Sequence, residues 1–457
     1  MAYPGLQHLH YEFGPLSIAP GQNSIQTEID TRRPAVPGFI TRMTPNLVYA
    51  GSHRVPRVDV LHLHHGVWLS NGRPFFAVGE EKTILQLPQG YGLPYAPSDT
   101  WLLNYMIHDL TATPAKVFIT YDIDFVPAPA QLTPVHPQWM DVAGFRLYPV
   151  FDALRHTGRH GRYTFPDDAR GAARRAVGPA HEWQPAGDVT LVATAGHLHP
   201  GGLRNDLTAS RAGARRELFR SQAKYFEPAG AVSWDVAMTA TKPGWRVALH
   251  RGDTVDLSTT YDTRRASWYE SMGIDVVYYA DGIQPGAVDP FSGHVDWHGE
   301  LTHGHLPEND HHGGAAATTL PDARRLPDGP FSRRLSIGGF IYARGDLHSA
   351  ARAGRPPVVH AGQSITFRNL DATASIPAQQ SAYHTVTACR APCTGSTGIA
   401  YPLADGPITF DSGELGYGGP PSADRNTWST PKTLPPGTYT YFCRIHPFMR
   451  GAFRVVR

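Results

Sequence analysis

Cys443, His446 and Met449 fall within seven residues near the end of the chain, in Tyr441-Phe442-Cys443-Arg444-Ile445-His446-Pro447-Phe448-Met449. A thiolate, an imidazole and a thioether in that order are the donors a blue-copper centre takes from one loop. The thiolate makes the short bond, the imidazole an equatorial bond and the methionine sulfur a long, weak axial contact. A second equatorial imidazole must come from a neighbouring strand, and His384, in His384-Thr385-Val386-Thr387, offers it. These four residues imply one type 1 copper.

The segment resembles the cupredoxin family, and its Cys-x-x-His-Pro-Phe-Met-Arg-Gly is closest to the amicyanin and plastocyanin branch. The multicopper oxidases are a rival, since they also combine a blue copper with many histidines. They place a histidine on each side of the cysteine, whereas Cys443 is flanked by Phe442 and Arg444. Cys389 and Cys393 remain, either as a small disulfide loop or as two free thiols. The disulfide would fit an oxidising compartment.

Histidine is the unusual residue elsewhere, with 24 against five lysines, and imidazole is the commonest metal-binding side chain. In His62-Leu63-His64-His65, strand alternation puts His62 and His64 on one face and His65 on the other, unless a bulge turns them together. In Gly196-His197-Leu198-His199-Pro200 the period of two aims both imidazoles to one side. Four further histidines, His303, His305, His311 and His312, crowd a Gly- and Pro-rich stretch. They are either a polar linker or an additional metal site, and His62 is likewise an additional candidate ligand. His8 and His10 read as surface residues.

The stretch 55–285 resembles the copper type II monooxygenases, a family of two jelly-roll-like β-sandwiches with one copper in each. His64-His65 matches that family's adjacent pair. Leu87-Pro88-Gln89-Gly90-Tyr91-Gly92 resembles its Leu-Pro-x-Gly-x-Gly turn, and Trp101-Leu102-Leu103-Asn104-Tyr105-Met106-Ile107-His108 resembles the strand bearing its third histidine. The resemblance thus implies one copper on His64, His65 and His108, which passes electrons. It implies a second on His197, His199 and Met272, where O2 reacts. Two departures stand out, and one is that residues 1–388 contain no Cys where the vertebrate members are held by several disulfides. The peptide-amidating members clamp a substrate carboxylate with an Arg before His-x-His and an Asn and a Tyr after the Met. Ala195, Ile274 and Val276 occupy those places here. Without the guanidinium there is no bidentate carboxylate contact, which argues against peptide amidation and for a less acidic substrate.

These ligands need strands to hold them. Runs at 58–62, 115–125, 189–195, 245–249 and 274–279 are rich in β-branched and aromatic residues, with Gly and Pro between them. The one helical candidate is 167–177, an Arg/Ala-rich connector. The expected fold is all-β: two jelly-roll-like sandwiches at 1–165 and 185–285, joined by a connector at 166–184. A His/Gly/Pro-rich linker at 286–335 then leads to a cupredoxin Greek-key sandwich at 336–457. A net charge of +2 argues against a nucleic-acid role, which would want a basic face. No apolar run approaches the roughly 20 residues of a membrane span.

The expectation is a copper-dependent, monooxygenase-like oxidoreductase with a fused electron-transfer domain. It would hold one type 1 copper and two further coppers, and use O2, a small organic substrate and a small reductant or redox protein. A homo-oligomer is compatible with this reading. Two alternatives stay open: a non-catalytic copper-binding or electron-carrying protein, and a type 1/type 2 copper oxidase or reductase of a small substrate. The first residues lack the basic and apolar regions of a secretory signal. The chain is therefore either secreted or periplasmic with its signal removed, or cytoplasmic.

Overall fold

In the strand Ala115–Pro127, every second residue from Val117 to Phe125 is wholly buried: Val117, Ile119, Tyr121, Ile123 and Phe125. That period of two drives one face of a sheet into a core. The structure is a computed structural model. It describes residues 3–457 apart from 24, 112, 144–148, 176, 227–229, 304–319, 348–353, 377–380, 391–407 and 418–424. Ala115–Pro127 runs antiparallel between Gln7–Ile18 and Gly38–Tyr49. A second sheet, ordered Ile25–Ile29, Trp101–Asp109, Leu61–Ser70 and Arg73–Gly79, supplies other residues of the same core.

The middle of the chain builds a larger, continuous sheet. Val189–Leu198 pairs with Gly273–Asp281 at one end, and Gly202–Arg211 pairs with Ala214–Tyr225 and Thr254–Asp262 further along. Two strands that composition assigns to the first unit pair here instead. His136–Asp141 adds to Gly273–Asp281, and Arg162–Phe165 adds to Thr254–Asp262. Hydrogen-bond pairing thus crosses the boundary expected at residue 165. The presumed linker also contributes Glu300–Leu301 to Val236–Ala240.

The C-terminal part is cupredoxin-like. One sheet is ordered Ile341–Tyr342, Arg334–Gly338, Thr366–Asn369 and Thr427–Ser429. The other is ordered Val358–His360, Arg450–Val456, Gly437–Phe442 and Thr387–Cys389. The fold is all-β, as expected. The helical candidate at 167–177 shrinks to Gly171–Arg175. The Asp168 carboxylate accepts the Thr164 amide at 2.8 Å, which fixes the preceding residues as a turn in place of a helical start. No helix among the described residues is long and apolar enough to cross a membrane.

The units share cores. Val192, Ala193, Val276 and Tyr278 of the middle sheet belong to the first sandwich's cluster, and Tyr278 Oη donates to Phe75 O at 2.7 Å. Phe442 of the cupredoxin belongs to the middle unit's cluster. Non-directional apolar burial therefore joins the three pieces.

Candidate metal centres

Thr387–Cys389 pairs with Gly437–Phe442 in a register that sets Thr387 opposite Phe442. This brings His384, just before the first strand, to Cys443, just after the second. Cys443 Sγ lies 3.8 Å from His384 Nδ1 and 3.7 Å from His446 Nδ1, and the two nitrogens are 3.2 Å apart. A point equidistant from all three corners of that triangle is about 2.1 Å from each, the length of a metal–imidazole bond and about 0.2 Å short of a metal–thiolate bond. The residues fit a trigonal copper. Met449 is fully buried in the same cluster as Cys443, and its amide donates to His446 O at 2.9 Å.

The imidazoles are aimed by their outer nitrogens. His384 Nε2–H donates to Asp371 at 3.0 Å and His446 Nε2–H to Gly21 O at 2.9 Å, leaving both Nδ1 atoms inward. The amides of Thr385 and His446 each reach the Cys443 sulfur at 3.4 Å. Burial, then neighbouring His384 and His108, hold His446 neutral. At His384 burial works the same way, but Asp371 and Cys443 outweigh it and raise the group to about 9. A metal cation displaces that proton on binding. Cys389 is disulfide-bonded and Cys443 is a free, buried cysteine; Cys393 lies outside the described residues.

A second cluster sits against this one. Leu61–Ser70 and Trp101–Asp109 pair with His62 opposite His108, and the register slips between Leu63 and His65. His64 is the bulged residue. The result differs from the set His64, His65 and His108 drawn from the resemblance. The ligand atoms of His62, His64 and His108 lie within 4.8 Å of one another, while His65 lines a different cavity. His62 takes the place of His65 because the alternation of 62 and 64 survives the bulge. His62 Nδ1–H donates to Val58 O at 2.7 Å, and His108 Nε2–H to Ile445 O at 2.8 Å. Their other nitrogens, His62 Nε2 and His108 Nδ1, are buried without a hydrogen-bond partner among the described residues. Unpaired buried nitrogens are costly, and a metal would satisfy them. Burial lowers His62 and His64 well below the ordinary range and brings His108 to about 4, so all three are held in the neutral, metal-binding form.

His197 and His199 sit at the end of Val189–Leu198, with His197 opposite Ile274 in the pairing with Gly273–Asp281. Their rings are 5.2 Å apart. His197 Nδ1–H donates to Glu81 at 3.0 Å and His199 Nδ1–H to Glu270 O at 2.6 Å, leaving both Nε2 atoms buried and unpaired among the described residues. Met272 and His197 line a cavity of about 490 Å³ together with His65, Val67, Leu102, Trp139 and Asp141. His199 leans the other way, 4.3 Å from the His64 ring. It lines a cavity of about 50 Å³ with His64, His108, Glu414 and Arg444. The two body sets therefore form one continuous histidine array.

Glu80, Glu81, Asp371 and Trp234 have no sequence signature. Gly79-Glu80-Glu81-Lys82 reads as an exposed turn, yet all four residues are buried. The Trp234 ring lies 4.6 Å from that of His62, tilted by 35°. His303 is half-buried and joins neither ligand cluster among the described residues. His305, His311 and His312 lie outside the described residues.

No protein-family model and no curated protein matches the chain. Among solved structures, the Cu(I) form of an amicyanin mutant is similar at 20% identity, covering 30% of this chain and 92% of that one, with a TM-score of 0.17. A Cu-containing nitrite reductase from Thermus scotoductus shares 14% identity at a TM-score of 0.18, and the match covers 58% of each chain. The major capsid protein of bacteriophage PM2 shares 11% identity over 60% of this chain and 97% of its own, with a TM-score of 0.27. These similarities are distant, so the chemistry rests on this chain's own residues.

Proposed function

We propose that this protein is a copper-dependent oxidoreductase of monooxygenase type, whose cupredoxin supplies electrons to the histidine array of the body. The observation that carries the reading is the 2.8 Å hydrogen bond from His108 Nε2–H to the carbonyl of Ile445. Ile445 adjoins His446, so one peptide unit and one hydrogen bond join a ligand of the type 1 site to a ligand of the three-histidine site. Copper at these sites would supply one-electron redox chemistry and a place for O2 to react.

The residues do the rest. Arg444 fixes the junction by donating to Ser267 O, pairing with Asp411 at 3.3 Å and lying 4.8 Å over the Trp268 ring. His65, His197 and Met272 face the 490 Å³ cavity, whose other walls include Val67, Leu69, Val78, Leu102 and Ile274. A cavity of that size and lining holds an apolar organic molecule and excludes water. Among the described residues no Lys or Arg lines it, which supports a substrate without a carboxylate. Asn104 and Asp141 remain to orient a polar end.

A second reading, reduction or oxidation of a small inorganic molecule, draws on the 50 Å³ cavity beside His64, His108 and His199. That volume holds about one water-sized molecule. Rapid mixing of the fully reduced, copper-loaded protein with O2 separates the readings. Reoxidation of the blue centre is expected to be fast in the wild type and slow in both His108→Ala and His197→Ala. A rate unchanged by either variant leaves only an electron carrier. A rate lowered by His108→Ala but not by His197→Ala favours small-molecule chemistry at the three-histidine site.

A further inference from the structure

Two glutamates stand side by side in the interior of the body, and each addresses a histidine from a different set. They follow Gly79, the last residue of Arg73–Gly79, whose register partner is His65. The Lys82 amide closes the turn on Gly79 O at 3.0 Å. Glu81 is bound at both oxygens, with the Gly79 amide donating to Oε1 at 2.8 Å and His197 Nδ1–H donating to Oε2 at 3.0 Å. Glu80 Oε2 lies 3.5 Å from His64 Nδ1, with side-chain exposures of 0% for Glu80 and 5% for His64. Both Glu80 oxygens and His64 Nδ1 are buried and have no hydrogen-bond partner among the described residues.

We propose that the Glu80–Glu81 turn is a shared positioning element for the two body copper sites, with Glu81 holding Nδ1–H of His197 and Glu80 facing Nδ1 of His64 at 3.5 Å. The Glu81 contact fixes the His197 tautomer and leaves Nε2 for the metal, and a carboxylate behind an imidazole raises its basicity. The arrangement explains why two acidic groups are kept together in the interior.

This inference rests on copper binding by the body, so its test counts and ranks the coppers without reading activity. The metal-free full chain is titrated with Cu(I) against a chelator of known affinity, and the blue band is then read after oxidation. Glu81→Gln has one oxygen where Glu81 uses two, and Glu80→Gln replaces one of the two oxygens that face His64 by an amide donor. Each variant is expected to weaken one body copper by about 10–100-fold, leaving the blue band and the number of binding sites unchanged. Glu81→Asp, which restores the charge at shorter reach, is expected to fall between Glu81→Gln and wild type. The unchanged blue band and near-ultraviolet circular dichroism show that each variant has folded. Wild-type affinity in both Gln variants overturns the positioning role, and so does outright loss of a copper, which would make the carboxylate a ligand itself. A wild-type chain that binds only the blue copper overturns instead the reading of the body as a copper enzyme.

Discussion

Gly79→Ala is the smallest change that reaches the array. A methyl group on Gly79 would stand 2.4 Å from His197 Cε1, 2.7 Å from His197 Nδ1 and 2.6 Å from the backbone oxygen of His64. Carbon atoms in contact sit at about 3.5–4.0 Å, so the ring must retreat by about 1 Å. The His64 oxygen belongs to a paired strand and cannot yield. A retreat of that size stretches the 3.0 Å bond from His197 to Glu81 beyond hydrogen-bonding range. Losing a hydrogen bond to a charged group costs about 1.5–3 kcal/mol, and overpacking adds about 1–3 kcal/mol. Loss of one body copper is expected, with the blue band intact, measured by metal analysis beside the visible spectrum. Gly51→Ala is the control, because a methyl there meets nothing within 4 Å. Full body-copper binding at wild-type affinity in Gly79→Ala would refute the claim that His197 is held against Gly79 to bind metal.

Cys443→Ser is expected to bleach the oxidised protein by removing the thiolate charge-transfer band. Met449→Leu is expected to keep the colour and raise the reduction potential, read by redox titration. A colourless copper-loaded wild type would sink both. Asp275 gives a pH prediction: burial raises it to about 7, opposed by the hydrogen bond from Asn205. A carboxyl raised in the folded state stabilises below its unfolded value near 4 and loses that contribution as pH rises toward 7. Asp275→Asn is therefore expected to gain stability relative to wild type between pH 5 and pH 8, by about 2–4 kcal/mol, in urea unfolding. An identical pH profile in the two proteins would show that Asp275 does not ionise in that window.

The cupredoxin was legible because three of its four proposed ligands share one short loop and the fourth heads a paired strand. The all-β fold was legible from β-branched runs and from Gly and Pro punctuation. The body was legible only in part. His197 and His199 are neighbours, with rings 5.2 Å apart, yet they line different cavities; which of His62, His64 and His65 group with His108 depends on a bulge, and a bulge leaves no mark in composition. Glu80 and Glu81 were invisible because a Gly-Glu-Glu-Lys run is normally solvated. Only long-range packing of the middle sheet against the first sandwich buries it. The boundary expected at residue 165 followed composition, whereas His136–Asp141 and Arg162–Phe165 follow hydrogen-bond pairing.

His446 is wholly buried, and its outer nitrogen is already committed to Gly21 O. Phe340 packs against both Gly21 and the His446 ring; a methyl on Gly21 would meet Phe340 Cε1 at 2.4 Å. In cupredoxins that work as carriers, this edge is the face offered to passing partners. Here it is a plugged socket. On the proposed function, transfer across it would be a first-order event, independent of protein concentration and insensitive to salt, because no charged encounter in solvent would precede it. An outside reductant would then have to reach the blue centre from another side, so that oxidant and reductant would address the molecule through separate surfaces.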